Sequence, residues 1–286
     1  MTLMRLIGLL GILLIFLGEG LSLVHVLPWS RHVFPLLWYG YILLLDSLNQ
    51  RFHGRSLISR HPREFCFMLP ASAFYWYLFE WYNMVIQNWL YINAPPEKWI
   101  QITMKIVSFA TVIPALYETA DLLGVRSWRK KAARTRPLIP GYRQNFSFFF
   151  LVLGAFLSIL PFIIPKLFFW SVWVGPFFLL DSINDRLGRP SLLRDWRNGE
   201  LGRTAVFLVA GYICGFFWEF WNYWAYTKWI YTVPVPPMAR IFEMPILGFL
   251  GFGPFCLETF AFWTFIRSSP LPPVSSPRWP VRNRRV

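Results

Sequence analysis

The chain has 286 residues, is 56% hydrophobic and 20% aromatic, and carries a net charge of +14 on only 15% charged residues. A soluble core of this size has no room for that much apolar surface, so the composition excludes a soluble globular domain and indicates a polytopic helical membrane protein. Nucleic-acid binding is not expected from the positive charge, because the basic residues sort by loop. Arg5, Arg51 to Arg63, Arg126 to Arg143, Arg186 to Arg203 and Arg267 to Arg285 fall in alternate connections, which is the positive-inside pattern. The exceptions are Arg31, Lys98, Lys105, Lys166, Lys228 and Arg240.

Apolar runs of about 20 residues predict helices near 4–27, 31–49, 65–90, 100–122, 146–165, 167–184, 203–228 and 241–266. The fold class expected is therefore all-α, with about eight transmembrane helices. In the first, Arg5 precedes an apolar run from Leu6 to Leu17, as in a signal peptide, but no small-residue cleavage site follows, so the helix is expected to stay. The second contains Trp38-Tyr39-Gly40 and then Leu44-Leu45-Asp46-Ser47-Leu48-Asn49-Gln50-Arg51. The third carries Glu80-Trp81-Tyr82-Asn83 and leads to Trp89-Leu90-Tyr91, expected as an interfacial aromatic belt. The fourth holds Pro114-Ala115-Leu116-Tyr117-Glu118-Thr119.

After a basic linker over 126–145 the same order returns. Trp173-Val174-Gly175 leads to Leu179-Leu180-Asp181-Ser182-Ile183-Asn184-Asp185-Arg186, followed by Glu219-Phe220-Trp221-Asn222, Trp229-Ile230-Tyr231 and Pro254-Phe255-Cys256-Leu257-Glu258-Thr259. Residues 38–119 are thus rewritten at 173–259. The expected organisation is a four-helix repeat over 1–125, the linker, a second repeat over 146–267 and a basic, proline-rich tail over 268–286. Four helices is an even number, so the copies are expected to run parallel, with both termini cytoplasmic in the plasma (inner) membrane. Anionic lipid head groups would meet the basic face. Cys66, Cys214 and Cys256 have no paired spacing and are expected as packing residues.

The residues that recur are those that cost most in a membrane, which makes them site candidates. Asp46 and Asn49 share a helix face, as do Asp181, Asn184 and Asp185, with Arg51 and Arg186 placed to reach a phosphate or the aspartates. Glu118 and Glu258 are expected at the same depth, each four residues after a proline that kinks its helix. Glu80 and Glu219, with Asn83 and Asn222 one turn on, are expected near the bilayer midplane within an aromatic, cation-tolerant wall. Asp46, Glu80, Glu118, Asp181, Glu219 and Glu258 are the catalytic candidates, and Asn49, Arg51, Asn83, Asn184, Asp185, Arg186 and Asn222 the substrate-binding ones. No residue is assigned as a metal ligand, and the sequence names neither a cofactor nor a metal. Glu19 and all four histidines lie in the first copy only, which favours one asymmetric site.

Asp181-Ser182-Ile183-Asn184-Asp185 has the D-x-x-x-D form of the second acidic motif of UbiA-type intramembrane prenyltransferases, whose layout of duplicated four-helix units this chain resembles. The first copy, Asp46-Ser47-Leu48-Asn49-Gln50, departs from the Asp-rich run that holds magnesium diphosphate in that family. The leading expectation is an enzyme using acid/base chemistry on a lipid or isoprenoid. The alternatives are a proton- or cation-coupled carrier and a non-catalytic membrane scaffold.

Overall fold

A computed structural model describes residues 2–124, 145–236 and 238–267. The linker over 126–144 and the tail over 268–286 lie outside the described residues. The helices are α1 (Thr2–Val24), α2 (Val33–His53), α3 (Leu57–Arg60), α4 (Pro62–Ile86), α5 (Lys98–Phe109), α6 (Val112–Leu122), α7 (Asn145–Ile163), α8 (Pro165–Phe168), α9 (Gly175–Arg186), α10 (Leu192–Arg197), α11 (Gly202–Trp224) and α12 (Phe252–Arg267). Two short antiparallel sheets join β1 (Trp89–Ile92) to β2 (Lys228–Tyr231) and β3 (Arg240–Ile241) to β4 (Met244–Pro245).

Among the described residues, five segments are long and apolar enough to cross a membrane: Leu3–Val24, Lys98–Leu122, Phe146–Ile163, Gly202–Trp224 and Ile246–Arg267. A sixth is obtained if Pro165–Trp173 and Gly175–Arg186, bent by 43°, form one span. Helices α2 and α4, with 21 and 25 residues, have the length but not the apolarity. The first carries Asp46, Asn49, Gln50 and Arg51, the second Arg63, Glu64, Glu80 and Asn83.

Sequence expectation and structure part company at the helix ends. The third and seventh predicted helices were extended to residues 90 and 228. Instead α4 stops at Ile86, where Gln87 turns left-handed with φ of 49°, and α11 stops at Trp224. Trp89–Ile92 and Lys228–Tyr231 are strands, paired with Trp89 opposite Tyr231 and Tyr91 opposite Trp229. Aromatic and β-branched side chains suit a strand as well as an apolar helix run, and periodicity alone does not separate the two. Likewise 241–251, expected as helix, forms β3, β4 and a 3₁₀ segment, Ile246–Gly251.

The kink expected at Pro114 is a break between α5 and α6. Pro114 has no N–H to bond the carbonyl one turn back. Ser72 of α4 holds the break, donating to Phe109 O at 2.6 Å and accepting from Ile113 N at 3.0 Å.

Packing follows one pattern in each half of the chain. Helix α1 lies on α2, α2 on α6 and α4 on α6; α7 lies on α9, α9 on α12 and α11 on α12. Across the halves, α1 meets α11, α4 meets α7 and α6 meets α11. Small residues let the backbones close up. A Cβ on Gly11 would stand 2.6 Å from Gly40 O, and one on Gly154 would overlap Leu179 N. Between them sits an aromatic core, with Tyr75 stacked on Phe262 at 4.5 Å and Phe79 on Trp173 at 5.1 Å.

Gly154→Val should therefore destabilise the protein by about 1–3 kcal/mol through overpacking at α7–α9. Gly20→Ala, with nothing within 4 Å of the added carbon, should leave the melting temperature unchanged or slightly raised. Thermal unfolding in detergent checks both; equal melting temperatures for the two variants would contradict the packing.

Candidate functional site

Asp46 and Asp181 bind backbone. Asp46 accepts from Ser56 Oγ at 2.7 Å and Ile58 N at 3.1 Å, at the start of α3. Asp181 accepts from Ser191 Oγ at 2.7 Å, Leu192 N at 3.1 Å and Leu193 N at 2.8 Å, at the start of α10. The first N–H groups of a helix have no partner within it, and the buried carboxylate takes one of them at α3 and two at α10. The serines are themselves N-caps, Ser56 accepting from Ser59 N and Ser191 from Arg194 N. Sequence reasoning missed both serines. Their signal was present as Gly54-Arg55-Ser56-Leu57-Ile58 and Gly188-Arg189-Pro190-Ser191-Leu192-Leu193.

Asn49 donates to Glu118 Oε2 at 2.6 Å and Glu118 O at 2.9 Å, so α2 is tied to α6. Asn184 reaches a turn further along its partner helix, to Ala261 O at 2.9 Å, while Glu258 meets the Tyr75 hydroxyl of α4. Glu118 and Glu258 are both buried. Arg51 and Arg186 do not pair with the aspartates as expected. Both are exposed and lie over Phe52 and Phe148 respectively. Asp185 instead bonds Arg194 at 2.8 Å and Arg197 at 3.0 Å. Asp181 and Asp185 thus face different partners, so the D-x-x-x-D spacing does not gather its two carboxylates on one point.

Glu80, Asn83, Glu219 and Asn222 surround the β1–β2 sheet. Asn83 accepts from Asn88 N at 2.8 Å and donates to Trp89 O at 2.8 Å. Asn222 accepts from Trp229 N at 2.9 Å and donates to Trp229 O at 2.8 Å. Glu80 Oε1 takes Tyr91 at 2.8 Å and Trp89 Nε1 at 3.1 Å, and its Oε2 takes Lys105 at 3.1 Å. Glu219, fully buried, takes Tyr231 at 2.6 Å. Burial first, and then the Glu80 charge, hold the Tyr91 hydroxyl well above its ordinary range; Tyr231 is raised in the same way beside Glu219. Both tyrosines therefore stay protonated and donate. The depth expected for these glutamates assumed helices running on to the belt. The chain turns back instead, and the belt residues bond the glutamates directly. Glu19, present in one half only, accepts from Trp221 Nε1 at 3.2 Å.

Beneath this sheet lies a cavity of about 720 Å³. Trp38, Trp76, Trp89, Trp173, Trp218 and Trp229 line it, together with Phe109 and Phe255. Its polar lining includes Arg31, His32, Asn88, Gln101, Lys105 and Lys228. Among the described residues, no Asp or Glu lines it. Trp170, Leu247 and Leu250 line the cavity and are also exposed, so its lining reaches the surface at apolar residues. Burial, followed by the adjacent Arg31 charge, lowers the His32 pKa, and the ring is neutral at pH 7. Among the described residues, no group of three or more His, Cys, Asp or Glu could hold a metal ion.

The chain matches no protein-family model, and neither the curated proteins nor the solved structures offer a match, so its function is argued from its own residues.

The asparagines are the structural test. Asn222→Ala would leave Trp229 N and O without a side-chain partner and should destabilise the protein by roughly 1–3 kcal/mol. Arg51→Ala, at an exposed side chain, should lie within about 0.5 kcal/mol of wild type. Detergent melting curves for the pair check this, and an Asn222→Ala protein as stable as Arg51→Ala would contradict it.

Proposed function

We propose that the chain is an eight-span membrane protein of two parallel four-helix repeats that binds a lipid-like amphiphile in the aromatic cavity. The observation that carries the reading is the cavity itself. A volume of about 720 Å³ with seven tryptophans, a few convergent polar groups and exposed apolar residues in its lining suits a chain-bearing molecule reached from the bilayer. The recurrent sequence, the matched packing of the two halves and the matched Asp–Ser caps support the repeat. Charge asymmetry supports cytoplasmic termini in the plasma membrane, with anionic lipid head groups at the basic face. On this topology the β1–β2 sheet faces the opposite side.

One observation favours a second reading, acid/base chemistry on a lipid or isoprenoid. Lys105 lines the cavity and pairs with Glu80, which also accepts from Tyr91, so a chain of proton-bearing groups ends at the cavity wall. Glu219 and Glu243 bond the lining residues Tyr231 and Lys228, whereas Asp46, Asp181 and Glu118 bond residues outside the lining. That arrangement supports binding over a carrier driven by midplane protons.

The binding reading is tested by mass spectrometry of lipid extracted from protein purified in mild detergent. A defined amphiphile should accompany the wild type at near-equimolar amount. Ser108→Trp, which fills the cavity wall, should lose most of it while keeping a cooperative melting transition. Equal lipid on both proteins, or none on the wild type, would count against the reading.

Topology is tested with a cysteine-free chain carrying either Arg51→Cys or Glu97→Cys. An impermeant maleimide should label the first only in inverted vesicles and the second only in intact cells. The reverse pattern would overturn the orientation.

A further inference from the structure

The basic residues that break the alternating loop pattern are not scattered at random over the fold. Of Arg31, Lys98, Lys105, Lys166, Lys228 and Arg240, three line the cavity: Arg31, Lys105 and Lys228. All three gather at its sheet end. Lys228 opens β2, Lys105 stands over the Tyr91 ring of β1 at 4.3 Å, and Arg31 lies 5.8 Å from the Tyr226 ring just before β2.

Two of these charges are balanced within the protein. Lys105 pairs with Glu80 and Lys228 with Glu243. Arg31 has no carboxylate partner among the described residues, and its Nε is buried without an acceptor. One neighbour in the same lining shares that condition: His32 Nδ1 is buried with no hydrogen-bond partner among the described residues. A buried donor left unmade costs free energy, and a buried charge without a counter-ion costs more. The wall thus offers one unbalanced positive charge and unmade hydrogen bonds at one end of an otherwise aromatic space.

Resting on the binding reading above, we propose that the cavity's ligand is an amphiphile with a single anionic head group, a carboxylate or a phosphate ester. The head sits at Arg31 beside His32, and the chain runs among Trp76, Trp173 and Trp218 towards the exposed Trp170. Arg31 supplies the charge-assisted bond that a neutral head cannot accept as strongly. The head group lies on the side opposite the basic cytoplasmic loops, so this arginine serves the ligand and not the orientation of the chain.

Seven lining tryptophans make quenching a direct readout. The full chain in neutral detergent is titrated with three probes brominated at the chain end: a sixteen-carbon fatty acid, the matching alkyl phosphate and the matching alcohol. At least one anion should quench at a concentration roughly tenfold below that of the alcohol. The stronger of the two anions identifies the head-group source. Arg31→Gln should abolish the gap by weakening the anions and leaving the alcohol unchanged, and Arg31→Lys should keep most of it. An alcohol that binds as tightly as both anions to the wild type overturns the proposal, and this comparison needs no variant. A preference for the anion that survives in folded Arg31→Gln overturns it too. Failure of all three probes to quench would instead sink the binding reading on which it rests.

Discussion

Inside a membrane a chain can leave a helix only if something bonds the backbone groups that the helix releases. Helices α4 and α11 both end early, and both are followed by strands that fold back over the protein. Asn83 and Asn222 make this possible, taking the N–H of Trp89 and of Trp229 respectively and returning a bond to the same residue's carbonyl. The β1–β2 pairing follows from those two anchors. So does the position of Trp89, Tyr91, Trp229 and Tyr231, which the strands carry to the cavity wall. The asparagines fix the strand backbones, and Glu80 and Glu219 hold the sheet's tyrosines, so together they keep the cover on the cavity.

The carboxylates follow the same economy. Asp46 and Asp181 satisfy the first turns of two short helices, Glu80 and Glu219 hold the tyrosines of the sheet, and Glu118 receives Asn49 across a helix pair. Buried acids are usually kept either for chemistry or to bond groups that would otherwise be orphaned. Here each of these five bonds a neighbour, while the cavity wall holds cations and aromatic rings. The polarity of that wall is the reverse of the cation-tolerant surface expected around the glutamates. An acid-lined pocket would suit a quaternary ammonium or a carbocation; a wall with Arg31 suits an anion.

Much of the scaffold was legible in the sequence. Every predicted helical region contains helix, and the recurrent Asp, Asn and Glu positions are bonded and, apart from the half-buried Glu80 and Asn83, buried, because apolar run length and polar cost are local properties of the chain. The strands were not legible, since Trp-Leu-Tyr-Ile extends an apolar run without announcing a change of period. The cavity was not legible either. Its lining draws on segments as distant as Arg31, Lys105, Trp173 and Phe255, which only tertiary packing brings together. One clue went unused: Arg31, Lys105 and Lys228 were visible as departures from the loop charge pattern. A basic residue on the wrong side of that pattern needs a local reason, and the cavity supplies one.

The central claim is that this cavity holds an amphiphile beneath the β1–β2 sheet. An experimental structure of the full chain in lipid nanodiscs tests it most directly. The account predicts elongated density between Trp76, Trp173 and Trp218, ending in a compact head within hydrogen-bond distance of Arg31. A cavity filled by collapsed side chains, or density confined to the outer lipid-facing surface, would contradict it.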